Sequence, residues 1–546
     1  MARTPLFDRL LRTLRRAEML EGRGVPSREG VEMFAEAERD RGAGMMTRRG
    51  LLGLLGAATA AGAAGCAPTD DVVTREAQWA RGGNGGPTGD VAIVGAGLAG
   101  LGCAYELQRR SITPTLYEAA DRVGGRCWSM EGVFPGQVAE RGGELIDTTH
   151  TTMRGWAREL GLELESFQNL PGEEFYYFGG QRHHEAAVVE EYRAFVDAMR
   201  DDLRLIGSPT ALAHTPDDAR FDRMTLREYL SSRGAGPLLR PLLETVYNIE
   251  YGLEADQQSA LAFLLFIHAD RRGRFQPFGV FSDERFHVVD GNERVASGLH
   301  ARLSRPAQLG MRLLRVARTA GGRVELTFQS GRRTVVKTHD RVVLTLPSPV
   351  LREVTLDASL ALPDWKRRAI AELRYGTNAK LMVGFAARPW TALGNNGTSY
   401  TDLANLQACW ETNPERASAT QAILTDYTGG ALGTRMDPAR VPTEVARFLA
   451  DLERVIPGAT AAARRGAGGA VLAHLEHWPS NPLCRGSYTA NHPGYFTTIA
   501  DLEATAVNNL HFAGEHTSSF YEWQGFMEGA ALSGVRAAGE VYAALR

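Results

Sequence analysis

The sequence predicts an α/β protein in which a Rossmann-like parallel-sheet domain is joined to a second, mixed α+β domain. Three observations carry that prediction. Val91-Ala92-Ile93-Val94 runs directly into Gly95, Gly97 and Gly100 at G-x-G-x-x-G spacing, and Leu101 to Arg109 then has a helical pattern. A second short strand, Thr113 to Tyr117, closes on Glu118. Near the C-terminus, Asn509 to Ala513 runs into Gly514-Glu515, again strand, glycine, acid. Four apolar residues in a row fit a strand buried on both faces of a parallel sheet.

Taken in order, residues 1–66 read as an export signal with an extended N-region, and residues 67–89 as a flexible linker. Thr47-Arg48-Arg49-Gly50-Leu51-Leu52 looks like a twin-arginine signal. Leu51 to Gly65 is apolar and alanine-rich, the length of a signal core and too short to span a bilayer. Ala63-Ala64-Gly65-Cys66 resembles a bacterial lipobox, which makes Cys66 a candidate lipid anchor; an ordinary buried cysteine is the alternative. Export would place the protein in the periplasm or on the outer side of the membrane. Met1 to Met45 precedes the arginine pair, and Met45 and Met46 are alternative starts. The remaining cysteines, Cys103, Cys127, Cys409 and Cys484, show no metal spacing and are expected to be buried thiols. The 546 residues suffice for two large domains, and a net charge of −3 predicts no nucleic-acid footprint. The only lysines are Lys337, Lys366 and Lys380.

The glycines have separate tasks. Gly95 permits the tight turn, Gly97 lets a pyrophosphate approach the backbone, and Gly100 lets helix pack on strand. Ala99 lies between them in the first helical turn, where the helix dipole favours phosphate. Glu118 stands where an acid grips a ribose hydroxyl. Asp121-Arg122-Val123-Gly124-Gly125-Arg126 then sets two arginines around a glycine pair, a second phosphate clamp. At these residues the chain resembles the flavin-containing amine oxidase family, which includes monoamine, polyamine and L-amino-acid oxidases. The resemblance implies FAD and an FAD-binding Rossmann-like domain of the GR2 type. It implies that residues 90–150, 285–347 and 481–546 build that domain. The substrate domain is then helical over 151–284, with sheet and helices over 348–480.

Glu140 to Asp147 is the segment that runs along the flavin in the family, and Gly142 and Gly143 match its glycine pair. Glu144 has two readings, attraction of an amine cation or pairing with Arg141, and the second is slightly favoured. Leu145 stands where venom-type L-amino-acid oxidases carry a carboxylate-binding arginine. Helical spacing is predicted over Met153–Leu160, Ala187–Leu205, Leu226–Arg233, Gly236–Tyr247 and Ser259–Ala269. Tyr247, Tyr251, Phe263 and Phe266 are expected in the core. A glycine turn at Asp290-Gly291-Asn292, a meander (Arg312–Arg318, Arg323–Ser330, Arg333–His339) and a buried strand from Arg341 follow. No metal site is expected at His183-His184-Glu185 or at His474 and His477.

In Asn378 to Phe385, period two puts Lys380 opposite Leu381 and Val383. The resemblance implies that Lys380 holds a water against the reactive flavin nitrogen; a solvated lysine is the alternative. Val441 to Val455 is a clear amphipathic helix. Ser487 occupies the position of the cysteine that bonds FAD in mitochondrial-type monoamine oxidases, which predicts non-covalent FAD. Gly514 and Glu515 match the family's pyrophosphate and ribityl contacts. Tyr488 and Phe526 match its aromatic cage around the amine, with Phe526 also beside the cofactor, where the last helix opens. The implied reaction is oxidative deamination of a primary amine or L-amino acid, with dioxygen as second substrate, and a homodimer is a candidate assembly. A flavin-dependent carbon–carbon desaturase and a non-catalytic flavin-binding lipoprotein are the rival readings.

Overall fold

The computed structural model describes residues 89–166, 171–267, 285–414, 421–518 and 523–546. The arginine pair Arg48-Arg49, Cys66, residues 67–88 of the linker and the end of the Ser259–Ala269 helix lie outside the described residues.

Val91–Val94 is an inner strand of a four-stranded parallel sheet. Its order is Thr115–Tyr117, Val91–Val94, Arg341–Leu344, Leu510–Phe512. Ile93 pairs with Leu116 on one side and Val343 on the other, and Val343 pairs in turn with His511. Alternation assigns the two faces. Val91 and Ile93 pack beneath the helices Leu98–Arg109 and Met527–Ala544. Ala92 and Val94 pack beneath the antiparallel strands Met311–Arg318, Val324–Ser330 and Arg333–His339. With both faces covered, an all-apolar strand is the stable choice. The two helices cross so closely that a Cβ on Gly534 would lie 2.2 Å from the Ala99 carbonyl oxygen.

The second domain is organised on a seven-stranded, mostly antiparallel sheet. Its order is Ala473–His477, Ala379–Phe385, Ala422–Thr428, Leu406–Glu411, Asn395–Leu403, Glu173–Phe178, Gln181–His183. Leu381, Val383 and Phe385 face the Val441–Val455 helix through Phe448, Leu449 and Leu452. On the other face of the sheet, Tyr176, Tyr400, Trp410 and Tyr427 join a core with the helices Glu185–Leu205, Leu239–Tyr251 and Ala260–Ile267. Tyr247, Tyr251, Phe263 and Phe266 are buried in that core.

Three features differ from the expectation. The stretch read as helical carries strands: Glu173–Phe178 joins the large sheet beside Asn395–Leu403, and Leu164–Ser166 pairs with Phe286–Val288. Their aromatic residues bury against partners remote in sequence, which local periodicity cannot show. The helix expected over Gly236–Tyr247 starts at Leu239 and runs to Tyr251, ending on Gly252 in the left-handed region. An unexpected helix spans Pro216–Arg223, where Thr215 and Asp218 form a capping box with proline in the first turn.

Candidate active site

The first glycine loop is built by contact. Gly95 has φ +106°, and a Cβ on Gly100 would lie 1.9 Å from the Gly95 carbonyl oxygen. Gly97 is different: the nearest atom to its missing Cβ is the Gly124 carbonyl oxygen at 4.0 Å. No described residue needs a glycine there, and the position is open to a group approaching from outside. The Leu98–Arg109 helix begins at Gly97 with no side-chain cap, leaving its first N–H groups to such a partner.

The second glycine pair seats on the first loop. Gly124 donates its N–H to the Ala96 carbonyl, and a Cβ on Gly125 would stand 3.3 Å from the Gly97 Cα. Glu118 accepts the Ala96 N–H at 2.6 Å and the Ala120 N–H at 2.8 Å. Gly95, Gly97, Ala99, Glu118, Arg122, Gly124, Gly125, Arg126, Gly514, Glu515 and Phe526 all line one cavity of about 570 Å³. That volume lies in the range of cofactor sites.

The two arginines have separate partners. Arg122 donates to the Val123 and Gly125 carbonyls and lies 3.7 Å from the Trp128 ring centroid. Arg141 lies 3.2 Å from the same ring. Arg126 pairs with Glu515 at 2.9 Å and donates to the Ser487 carbonyl at 2.9 Å. The second oxygen of Glu515 accepts the Thr489 hydroxyl at 2.8 Å and the Gly525 N–H at 2.9 Å. Burial opposes the charge on Glu515, but Arg126 and these donors hold its carboxyl down at about 2.

Glu515 thereby ties the cavity wall to both predicted cage residues. Tyr488 lies between its partners Ser487 and Thr489, and Phe526 follows Gly525. A Cβ on Gly525 would lie 3.3 Å from Tyr488 Cδ2, so the two segments are in contact. Tyr488 donates its hydroxyl to the Glu250 carbonyl at 2.6 Å, and its oxygen lies 3.1 Å from that of Tyr427. Phe526 meets His150 edge-on at 5.1 Å.

Gly142, Gly143, Glu144, Lys380 and Tyr488 lie off the cavity wall. A Cβ on Gly142 would strike the Arg126 carbonyl oxygen at 1.8 Å, and one on Gly143 the Met527 sulfur at 2.7 Å. Lys380 is not solvated: it is 3 % exposed and donates to the Glu140 and Gly142 carbonyls and to Glu144. The expected Glu144–Arg141 pair is not formed. Arg141 pairs with Glu476 at 2.5 Å and Glu144 with Lys380 at 2.5 Å. The two charges take partners on different strands, Glu476 on Ala473–His477 and Lys380 on Ala379–Phe385. Leu145 is buried and apolar.

Four side chains that sequence reasoning passed over complete the frame. Asn292 donates to the Gly143 and Glu144 carbonyls at 3.0 and 2.7 Å and accepts the Val288 N–H. An asparagine between a glycine turn and a helix was its visible signal. Thr345 caps the glycine loop by donating its hydroxyl toward the Val94 and Gly95 carbonyls. The Trp410 indole donates to Glu144 at 3.1 Å and that of Trp478 to the Arg141 carbonyl at 3.1 Å. Neither tryptophan carries a local signal. Cys103, Cys127, Cys409 and Cys484 are buried free thiols. Among the described residues no group of three or more His, Cys, Asp or Glu could hold a metal ion.

A family model described as flavin containing amine oxidoreductase matches residues 98–542. The chain belongs to that family. It is an FAD-dependent oxidoreductase acting on amines. The L-amino-acid oxidase of Naja atra is 24 % identical over 474 residues, covering 83 % of this chain and 87 % of that protein. That of Siganus canaliculatus is 25 % identical over 472 residues, covering 82 % and 84 %. Cyclohexylamine oxidase from Brevibacterium oxydans has a similar structure, with TM-score 0.70, 21 % identity, and 84 % of this chain and all of that one covered. A putrescine oxidase bound to putrescine has TM-score 0.68 at 21 % identity, covering 83 % and 99 %. These structural likenesses are likenesses of fold. The residues here fit FAD by an observation of their own, since Gly97 and the uncapped helix N-terminus open onto a cavity that Glu118 borders.

Proposed function

We propose that the chain catalyses oxidative deamination of a primary amine or an L-amino acid, giving an aldehyde or keto acid, ammonia and hydrogen peroxide. The observation that carries this reading is the knot at Glu515. One carboxylate ties the cavity wall at Arg126 to the strand that begins just after Tyr488 and to the turn bearing Phe526. Bound FAD supplies the acceptor for the hydride lost from the amine-bearing carbon and passes the electrons to dioxygen. Gly95, Gly97, Gly124 and Gly125 admit the pyrophosphate, and Glu118 takes a ribose hydroxyl. Tyr488 and Phe526 present ring faces to the amine, with the Tyr488 ring held by Glu250 and Tyr427. The relatives include oxidases named for amino acids and for amines, so both substrate classes belong to the proposal.

The test is a peroxide-release screen of the purified flavoprotein on primary amines, polyamines and L-amino acids, with the flavin spectrum followed anaerobically. Bleaching by one class, with peroxide on re-aeration, is the expected result. A yellow protein that none of the panel bleaches overturns the reading and favours the desaturase. Non-covalent attachment is proposed from Ser487, a serine at the position of the linking cysteine, whose hydroxyl donates to Asn378 at 2.5 Å. Acid precipitation should leave all the flavin in the supernatant; yellow colour in the pellet contradicts it. Export by the twin-arginine route is proposed from Arg48-Arg49. Replacing both by lysine should retain the protein in the cytoplasm, and Cys66→Ala should release it from membranes if Cys66 is the anchor.

A further inference from the structure

Lys380 has more acceptors than a neutral amine can serve. Its Nζ lies 3.0 Å from the Glu140 carbonyl oxygen, 3.1 Å from that of Gly142 and 2.5 Å from Glu144 Oε2. With Glu144 ionised, three acceptors require three N–H donors, and only the ammonium has them; a neutral amine would turn its lone pair on one of the oxygens. The other oxygen of Glu144 accepts the Trp410 indole N–H at 3.1 Å. The two side chains are only 4 % and 7 % exposed. The remaining charged and titratable groups facing Lys380 have their own partners. Glu140 accepts from the Ser129 hydroxyl and the Asn292 N–H. Glu476, opposite Lys380 in strand register, is held by Arg141 with His474 at 3.4 Å. The Tyr427 ring centroid is 6.0 Å away. Glu144 is thus the counter-ion in contact.

We propose that Glu144 is a positioning residue that holds Lys380 as a fixed ammonium. The pair braces the glycine segment Glu140–Glu144 against two strands of the substrate sheet, and Lys380 is not the group that takes the proton from the amine. A carboxylate already neutralised by Lys380 has no charge left to attract an amine cation, which removes that role from Glu144. The catalytic meaning rests on the amine-oxidase reading; the ion pair itself does not.

The experiment compares the holoenzyme with Glu144→Gln, Lys380→Met and the double variant. Thermal midpoints are measured first, since they need no turnover. Each single change strands one buried charge, so each should lower the midpoint. The double variant should recover more than half of the loss of the worse single variant. Losses that simply add overturn the pair. Anaerobic reduction of the flavin by an amine is then followed against pH. Glu144→Gln should acquire an ionisation that the wild type and the double variant lack, because an unpaired buried ammonium sheds its proton. If a wild-type ionisation other than that of Glu140, whose burial pushes its carboxyl up to about 7, disappears in Lys380→Met instead, Lys380 is the proton acceptor and the proposal is overturned. A wild type that no amine reduces refutes the functional reading alone, and the midpoints still decide the pair.

Discussion

At Gly100 one methyl group separates a formed cradle from a broken one. Its added Cβ would meet the Gly95 carbonyl at 1.9 Å, and that oxygen belongs to the turn itself. Gly100→Ala is expected to cost about 1–3 kcal/mol and to lose bound flavin, read from visible absorbance per mole of protein. Gly97→Ala should behave differently. With no atom closer than 4.0 Å and an ordinary φ of −74°, the protein should keep its melting temperature yet bind FAD more weakly. A matched fall in both would show that Gly97 is structural. The Glu515 carboxyl gives a pH prediction. Its folded value of about 2 lies below the ordinary 4.5. The unfolded chain therefore binds more protons between those values, and stability rises with pH across them. That contribution, on the order of 3 kcal/mol, is complete above about 4.5 and is lost as pH falls toward 2. Glu515→Gln should flatten the acid limb of a melting-temperature profile; an unchanged limb would place the acid sensitivity elsewhere.

Single elements can be tested without touching the cavity. The Pro216–Arg223 helix depends on the Thr215–Asp218 capping box, so Thr215→Ala should cost about 1 kcal/mol and leave the flavin spectrum unchanged. A larger loss would mean that this helix holds the domain together through more than its own turn. The Ala422–Thr428 strand carries a different stress. Asp426 lies on the side of the sheet facing the Val441–Val455 helix, fully buried, and neither of its carboxyl oxygens has a hydrogen bond among the described residues. Burial, with Asp451 and Glu444 nearby, holds that carboxyl well above the usual carboxylate range. The native protein then keeps a proton that the unfolded chain releases, so stability falls as pH rises above about 3.8. Asp426→Val should stabilise by roughly 1–3 kcal/mol, with the larger gain at higher pH. A destabilised variant would show that the carboxyl has a partner worth keeping.

Among the described residues, segments far apart in the chain close the parallel sheet. The parallel sheet takes neighbouring strands from Val91, Arg341 and Leu510, and the helices Leu98–Arg109 and Met527–Ala544 pack together. A cofactor seated among those segments binds only the folded chain. FAD at about a hundred times its Kd should add roughly 2.7 kcal/mol of stability, visible as a rise in melting temperature on reconstitution. No rise would mean that the cradle does not depend on its ligand. Much of this architecture was legible beforehand, because glycine turns and buried strands are written in short-range sterics. Gly95 has the positive φ of a tight turn, Gly100 has no room for a Cβ, and the Val441–Val455 helix ends where its periodicity ends. The partners of charged side chains were not legible in the same way. Arg141 and Glu144 are three residues apart, yet they pair with Glu476 and Lys380 respectively. Residues adjacent in the chain were enough to read the fold class, the family and the glycine loops. Which carboxylate meets Lys380 depends on contacts remote in the chain. That contact spans 236 residues and forms because the large sheet brings Lys380 and Trp410 onto the face that Glu144 enters.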